Sequence, residues 1–135
     1  MKFFTVLITV CAVTACSPGT SDEQQIRELI AGMETAAEAR DASDVLAFVA
    51  DDYDDAQGFD TSQLRNFLRG YFLAHPKLDV MVNISRLEFP ADGLAQAELS
   101  VTTVEFNDPD HARFNVELRR VNGAWRLHRA DRLRP

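Results

Sequence analysis

Arg129 and Asp131 are the residues of this chain whose types and spacing are best suited to chemistry. They lie two residues apart in a predicted strand and therefore project from one face of it, the face that Trp125 and Leu127 share. On that parity the charged pair points toward the apolar interior, where it could act on a bound molecule. The alternative is a structural ion pair at the end of the strand, and we favour it because paired charges are common without catalysis.

Tyr53 is a third candidate, because an aromatic residue between acids at a helix end often turns inward. The acidic run around it lacks the spaced Asp pattern and the glycine of a calcium-binding hand, so a solvated loop is the simpler interpretation. The histidines have no second His or Cys at the spacing of a zinc site, and we predict neither a metal nor a cofactor. The acids of the run are Asp51, Asp52, Asp54, Asp55 and Asp60, and the histidines are His75, His111 and His128.

Three predicted helices precede the strands and must position these residues. The first begins at Ser21, which has the pattern of an N-cap, and its apolar residues recur every three or four positions through about Arg40. Ser43 is predicted to cap a short second helix. The third begins at Asp60 or Thr61 and ends before Pro76.

Four predicted strands follow, because the apolar period changes from 3.6 to 2. Asp92-Gly93 and Asn122-Gly123 are hairpin turn signals. The apolar positions shift phase by one near Ser85 or Arg86 and again at 102–103, and each shift predicts a bulge. The sequence therefore predicts an α+β domain: three amino-terminal helices packed in the concave face of a strongly curved, antiparallel, four-stranded β-meander.

The order of these elements and two passages resemble the nuclear transport factor 2-like superfamily over residues 21–133. The passages are AEARDASDVLAFVADDY, between the first two helices, and FNVELRRVNGAWRLHRADR, which forms the closing hairpin. The resemblance implies a SnoaL-like cone of the cystatin-like type over residues 21–135. It also implies a pocket in the open end of the cone and a homodimer through the sheet.

The superfamily contains enzymes and binding modules, so its site residues must be compared one by one. Members that isomerise steroids use a tyrosine on the first helix, where this chain offers only Ile, Leu, Met and Ala on the apolar face. Members that dehydrate or open epoxides use Asp with His or Arg, and Arg129 with Asp131 is the nearest equivalent. The candidates for lining a pocket are Met33, Tyr53, Tyr71, Phe72, Trp125 and Arg129.

The amino-terminal residues have the pattern of an export signal. Lys2 precedes an apolar run over residues 3–13, which is too short for a mature transmembrane helix of about 20 residues. Residues 1–15 are therefore predicted to be a signal peptide. The sequence Val-Thr-Ala-Cys, ending at Cys16, resembles the lipobox of bacterial lipoproteins, which implies a lipidated cysteine and a short tether over residues 16–20. A plain secreted protein is the alternative.

Cysteine usage favours the lipid. Cys11 is removed with the signal peptide, so Cys16 has no disulfide partner in the mature chain. An unpaired thiol is unusual in an oxidising compartment, and acylation of Cys16 would account for it. Ser17 stands where the lipoprotein pattern would place Asp to retain a protein at the inner membrane. We therefore expect a lipid anchor in the outer membrane, with the domain facing the periplasm.

The formal net charge is -7, which makes nucleic acid a poor candidate partner. Apart from Cys16, the chain after residue 15 has no cysteine, and its serines lack a placed histidine, so a nucleophile with its base is not indicated. We predict a noncatalytic envelope lipoprotein whose cone binds a small apolar ligand or whose sheet binds a protein partner. The alternative is a small cofactor-free hydrolase, dehydratase or isomerase that uses Arg129, Asp131 and Tyr53.

Overall fold

The computed structural model describes residues 21–135. The predicted signal peptide, Cys16 and the tether lie outside these residues. Three helices come first, followed by four strands that form one open antiparallel sheet in the order β1-β2-β3-β4. The predicted α+β meander is confirmed. The elements are α1 (Asp22–Glu38), α2 (Ala42–Leu46), α3 (Thr61–Ala74), β1 (Asp79–Ala91), β2 (Leu94–Glu105), β3 (Asp108–Val121) and β4 (Ala124–Arg132).

The helix starts follow from their caps. The Ser21 hydroxyl accepts the backbone N–H of Gln24, and Asp60 forms a full capping box with Gln63. The predicted cap of α2 at Ser43 is wrong, because Asp41 caps this helix. Arg40 takes a left-handed conformation with φ of 55° after α1, which leaves Asp41 extended and free to accept a backbone N–H from the next turn.

One of the two predicted bulges is present. The pairing of β1 with β2 shifts between Ile84 and Arg86, as the phase of the apolar residues indicates. No shift occurs at 102–103, where β2 pairs regularly with both neighbours. The apolar residues that produced the apparent second shift are Val104, which pairs with Pro109, and Phe106, which lies in the β2–β3 turn and is 75% exposed.

A bulge that the apolar pattern does not signal lies in β4. Leu127 pairs with Leu118, but the next pair joins Arg129 to Glu117, so His128 is an extra residue on the β4 side. An inserted residue reverses the alternation of side chains beyond it. Side chains in the second half of β4 therefore alternate between the two faces in the opposite phase to those in the first half.

The core fills the concave face of the sheet. Ile26, Leu29 and Ile30 of α1 pack in one cluster with buried side chains of β2, β3 and β4. A second cluster joins Phe72 of α3 to Leu78 and to β1. α3 lies against α2 at the flank and leaves some of its apolar side chains exposed, including Phe67 and Leu73. Within the described residues, no helix is long and apolar enough to cross a membrane.

Each edge strand of the sheet has some of its outward backbone groups bonded to another segment, which leaves fewer of them unpaired. At β1, Glu34 accepts the N–H of Val82 at 2.9 Å. At β4, Leu127 donates its N–H to Phe48 and accepts one from Ala50, both at 2.8 Å. The segment after α2 therefore lies along the free edge of β4 and brings the acidic loop to it.

Candidate functional site

Arg129 and Asp131 lie on the outer face of the sheet, away from the core. Their cross-strand partners are Glu117 and Asn115, which alternate with the buried Val116. Because cross-strand partners share a face, the predicted inward orientation of the pair is wrong. The His128 bulge is the reason, since it reverses the parity of β4 beyond Leu127.

The pair fastens the acidic loop to β4. The Arg129 guanidinium donates to Asp131 at 2.5 Å and to Asp54 at 3.3 Å. The other carboxylate oxygen of Asp131 accepts the backbone N–H of Ala56 at 2.7 Å. The hydrogen bond to Asp131 raises the pKa of Arg129 above its ordinary value. Each charge thus has a partner, which is the arrangement of a structural ion pair.

Tyr53 turns inward and belongs to the core, with a side chain that is 3% exposed. Its hydroxyl donates to Asp55 at 2.7 Å and lies 3.5 Å from the carbonyl oxygen of Ala130. Burial and the hydrogen bond to Asp55 raise the pKa of Tyr53 above its ordinary range. The phenol therefore stays protonated at neutral pH and is poorly suited to act as a base.

The other four pocket candidates take part in packing. Trp125 and Phe72 are buried in different clusters, and Met33 is partly buried against both. Tyr71 lies along α3 with its ring centroid 6.0 Å from that of Phe67 and 4.3 Å from that of His75.

Sequence reasoning missed a polar cluster where the start of α1 meets two hairpins. Asp22 accepts hydrogen bonds from the Trp125 indole and from Arg120, both at 3.2 Å. Arg120 also donates to Asp92 in the β1–β2 turn at 2.6 Å, and its guanidinium carbon lies 5.3 Å from the centroid of the Trp125 ring. Arg120 lies two residues after the buried Leu118 and therefore faces the same side of the sheet. The sequence could have indicated the cluster on this ground, since a charge that faces the core needs a partner.

A depression of about 270 Å³ lies on the outer face, and two rows of polar side chains cross it. Each row runs across all four strands, from β1 to β4. The first row is Arg86, Glu98, Asn115 and Asp131, and the second row is Glu88, Gln96, Glu117 and Arg129.

The acids at the centre of these rows are already paired. Glu98 forms an ion pair with Arg113 at 3.3 Å, and Glu117 forms one with Arg119 at 2.9 Å. Among the described residues, no group of His, Cys, Asp and Glu has the geometry to hold a metal ion. The depression is thus a polar surface of mixed charge.

A second depression, of about 340 Å³, opens between α1 and the β3–β4 hairpin. Leu29, Phe48 and Trp125 supply its apolar lining, and Glu28 and Arg126 lie among its polar residues. Of the pocket candidates, Trp125 lines this depression and Arg129 lines the first one. Met33, Tyr53, Tyr71 and Phe72 line neither.

Solved structures share this architecture at low sequence identity. A protein of unknown function with a cystatin-like fold from Nostoc punctiforme is 21% identical, with a TM-score of 0.69 over 82% of this chain and 89% of that one. A nuclear transport factor 2-like protein of unknown function from Shewanella oneidensis is 12% identical, with a TM-score of 0.69 over 83% and 98% of the two chains. The chain has the nuclear transport factor 2-like cone fold.

The same cone fold occurs in a protein from Novosphingobium aromaticivorans named as a candidate scytalone dehydratase. It is 12% identical, with a TM-score of 0.72 over 82% of this chain and 81% of that one. No protein-family model matches the sequence, and a comparison with curated proteins finds no match. The fold is shared by a candidate dehydratase and by proteins of unknown function, so it does not by itself assign a function to this chain.

Proposed function

We propose that this protein is a lipoprotein of the bacterial outer membrane, anchored through acyl groups on Cys16, and that its cone is a noncatalytic binding module. The proposal of a noncatalytic cone rests on one observation: all three candidate catalytic residues have structural roles. Asp131 and Arg129 hold the acidic loop on the outer face, and Tyr53 is a buried, protonated phenol. None of them is oriented toward an apolar pocket in the described part of the chain.

A macromolecular partner fits this surface better than a small apolar ligand in the cone. The helices and the concave face of the sheet are packed together through Ile26, Leu118 and their neighbours. The outer face, in contrast, is broad, polar and accessible. We propose that the partner is a second copy of the chain, so that the protein is a homodimer through its sheets.

The anchor is tested by labelling with palmitate in cells. Wild-type protein should incorporate the label and fractionate with outer membranes. Cys16→Ala should abolish labelling and release the protein into the periplasmic extract, while Cys11→Ala, within the predicted signal peptide, should leave labelling unchanged. Wild-type protein that is unlabelled and soluble in periplasmic extracts would overturn the anchor.

The enzyme alternative is tested with a panel of small hydrophobic esters, epoxides, hydroxylated cyclic substrates for dehydration and isomerisable ketones. Purified wild-type protein is expected to show no specific turnover. Turnover that disappears in a folded Arg129→Met, Asp131→Leu double variant would instead favour a cofactor-free hydrolase, dehydratase or isomerase.

A further inference from the structure

We infer that the solvent-facing side of α3 is a docking surface for an acidic amphipathic helix of another protein, which crosses α3 at Gly70. Three features of α3 support this: its exposed apolar side chains, a glycine in its interior and its charge. The docking surface requires neither the lipid anchor nor a homodimer, so it goes beyond the proposed function. It contains none of the residues that line the outer-face depression.

α3 presents apolar side chains to solvent as well as to the core. Leu68 and Phe72 face inward and pack in the core clusters. Away from the core, Leu73 is 85% exposed and Phe67 is 51% exposed. The other two helices of the described chain expose no large apolar side chain. Large exposed apolar residues that lie together on one element mark interaction sites.

Gly70 lies in the interior of α3, three residues from Phe67 and three from Leu73, so all three share one side of the helix. A methyl group at Gly32, the glycine of α1, would lie 2.6 Å from the Phe48 ring, which explains that glycine. A methyl group at Gly70 would have no heavy atom within 4 Å apart from the helix backbone and the adjoining residues. Glycine destabilises a helix interior, and on an exposed side it permits the close approach of another backbone.

The side chains around Gly70 form a groove. Residues four apart on a helix make ridges, and one ridge joins Phe67 to Tyr71. The ridge on the other side of the groove joins Arg69 to Leu73. Helices pack by placing a ridge of one in a groove of the other, at a distance set by the side chains at the contact. A groove with glycine at its centre therefore fits a helix, whereas a lipid surface would favour a large apolar side chain there.

The charge of α3 favours an acidic partner. α3 carries Arg65 and Arg69 and no acid, although the formal net charge of the whole chain is -7. In the described part of the chain, no carboxylate forms an ion pair with either arginine. Arg69 adjoins Gly70, so an acid on the flank of the crossing helix would lie close to its guanidinium. Complementary charges of this kind select the partner and speed association.

Two other occupants match the surface less well. A crossing of α3 with α3 of a second copy at Gly70 would bring the two Arg69 side chains together, and like charges repel. An anionic lipid surface would contact α3 along its length, including Asp60 at its start, and would repel that carboxylate. A helix that crosses at Gly70 contacts α3 about 15 Å from Asp60 and avoids this repulsion.

The test measures binding of two fluorescent peptides to the mature chain carrying Cys16→Ala. Both peptides have about 20 residues, enough to form a helix, with one side of leucine and alanine. The remaining positions are glutamate in one peptide and lysine in the other. Fluorescence anisotropy at low salt should show at least tenfold tighter binding of the glutamate peptide. The net negative charge of the chain favours the lysine peptide elsewhere, so this preference assigns binding to α3.

Three variants locate the binding. Gly70→Leu fills the groove and should weaken binding of the glutamate peptide at least tenfold without lowering the melting temperature, since the site is open and leucine favours a helix. The matched control, Ala31→Leu on the exposed side of α1, should bind like wild type. Arg65→Gln with Arg69→Gln should remove the preference for glutamate over lysine. A wild-type chain that binds neither peptide or prefers lysine, or a Gly70→Leu variant with wild-type affinity, would overturn the inference.

Photocrosslinking in cells gives a second measurement on the full-length protein. Photoreactive benzoylphenylalanine in place of Leu73 should form an adduct that maps to an acidic helical segment of another protein. Gly70→Leu in the same chain should abolish that adduct. An adduct only with a second copy, an adduct only with lipid, or the absence of any adduct would overturn the inference.

Discussion

The indole N–H of Trp125 donates to a carboxylate oxygen of Asp22, 3.2 Å away, and so joins the last strand to the first turn of α1. The same oxygen accepts from Arg120, whose guanidinium also reaches the β1–β2 turn. One carboxylate therefore holds three chain segments together. It also lies at the helix amino terminus, where the helix dipole favours a negative charge.

Asp22→Ala should lower the free energy of unfolding by about 1–3 kcal/mol, because it leaves the buried indole N–H without an acceptor. Urea denaturation measures this change. Glu23→Ala is the matched control in the same turn: its exposed pair with Arg27 should contribute less than about 1 kcal/mol. Equal losses in the two variants would show that the helix dipole, rather than the Trp125 contact, carries the effect.

The raised pKa of Tyr53 predicts how the free energy of unfolding changes at alkaline pH. Its pKa is raised in the folded state by burial and by Asp55, so the folded protein holds this proton more tightly than the unfolded chain. That contribution is complete below the ordinary tyrosine pKa of about 10 and is lost as the pH rises toward the folded value. The free energy of unfolding should therefore fall above pH 10.

Tyr53→Phe should flatten this alkaline decline while costing about 0.5–1.5 kcal/mol at neutral pH through the lost hydrogen bond. Thermal melts from pH 7 to 11 compare the variant with wild type. Tyr71→Phe, on the partly exposed side of α3, provides the control and should retain the wild-type slope. An unchanged slope in Tyr53→Phe would assign the decline to another group.

Replacement of Asp131 should loosen the acidic loop more than replacement of Arg129. Asp131 accepts the Ala56 N–H as well as the guanidinium, whereas Arg129 bonds carboxylates that also face solvent. Asp131→Ala should therefore free the acidic loop and increase proteolysis within residues 51–60 several-fold more than Arg129→Ala does, since cleavage follows local opening. Cleavage at the same rate in both variants would mean that the hydrogen bond from Ala56 to Asp131 is not the main contact that holds the loop.

Deletion of His128 tests the bulge. Without the extra residue, Arg129 would follow Leu127 directly and regular pairing would keep it opposite Glu117, so Arg129 and Asp131 would stay on the outer face. We therefore expect the deletion variant to fold, with a loss of about 0.5–3 kcal/mol in the free energy of unfolding. His128→Ala keeps the bulge and loses the contact with Asp52, so it should also remain folded. A deletion variant that is unfolded by circular dichroism would mean that the fold requires the bulge itself.

The sequence by itself determined the elements and their order. Capping residues such as Ser21 and Asp60, the change of period after Pro76, and the two Gly-containing turns are local signals, and local signals are sufficient to predict three helices and a four-stranded meander. The bulge near Ser85 was also predictable, since apolar residues on both sides of it record the change of phase.

Tertiary structure decided which face the candidate residues occupy. The bulge at His128 leaves no trace in the apolar pattern, because the residues beyond it are Arg129, Ala130 and Asp131, and it is defined by pairing with β3. One inserted residue turned the predicted inward pair to the outer face. The cluster of Asp22, Arg120 and Trp125 likewise joins residues about a hundred positions apart, a relationship that exists only once the sheet has folded against α1.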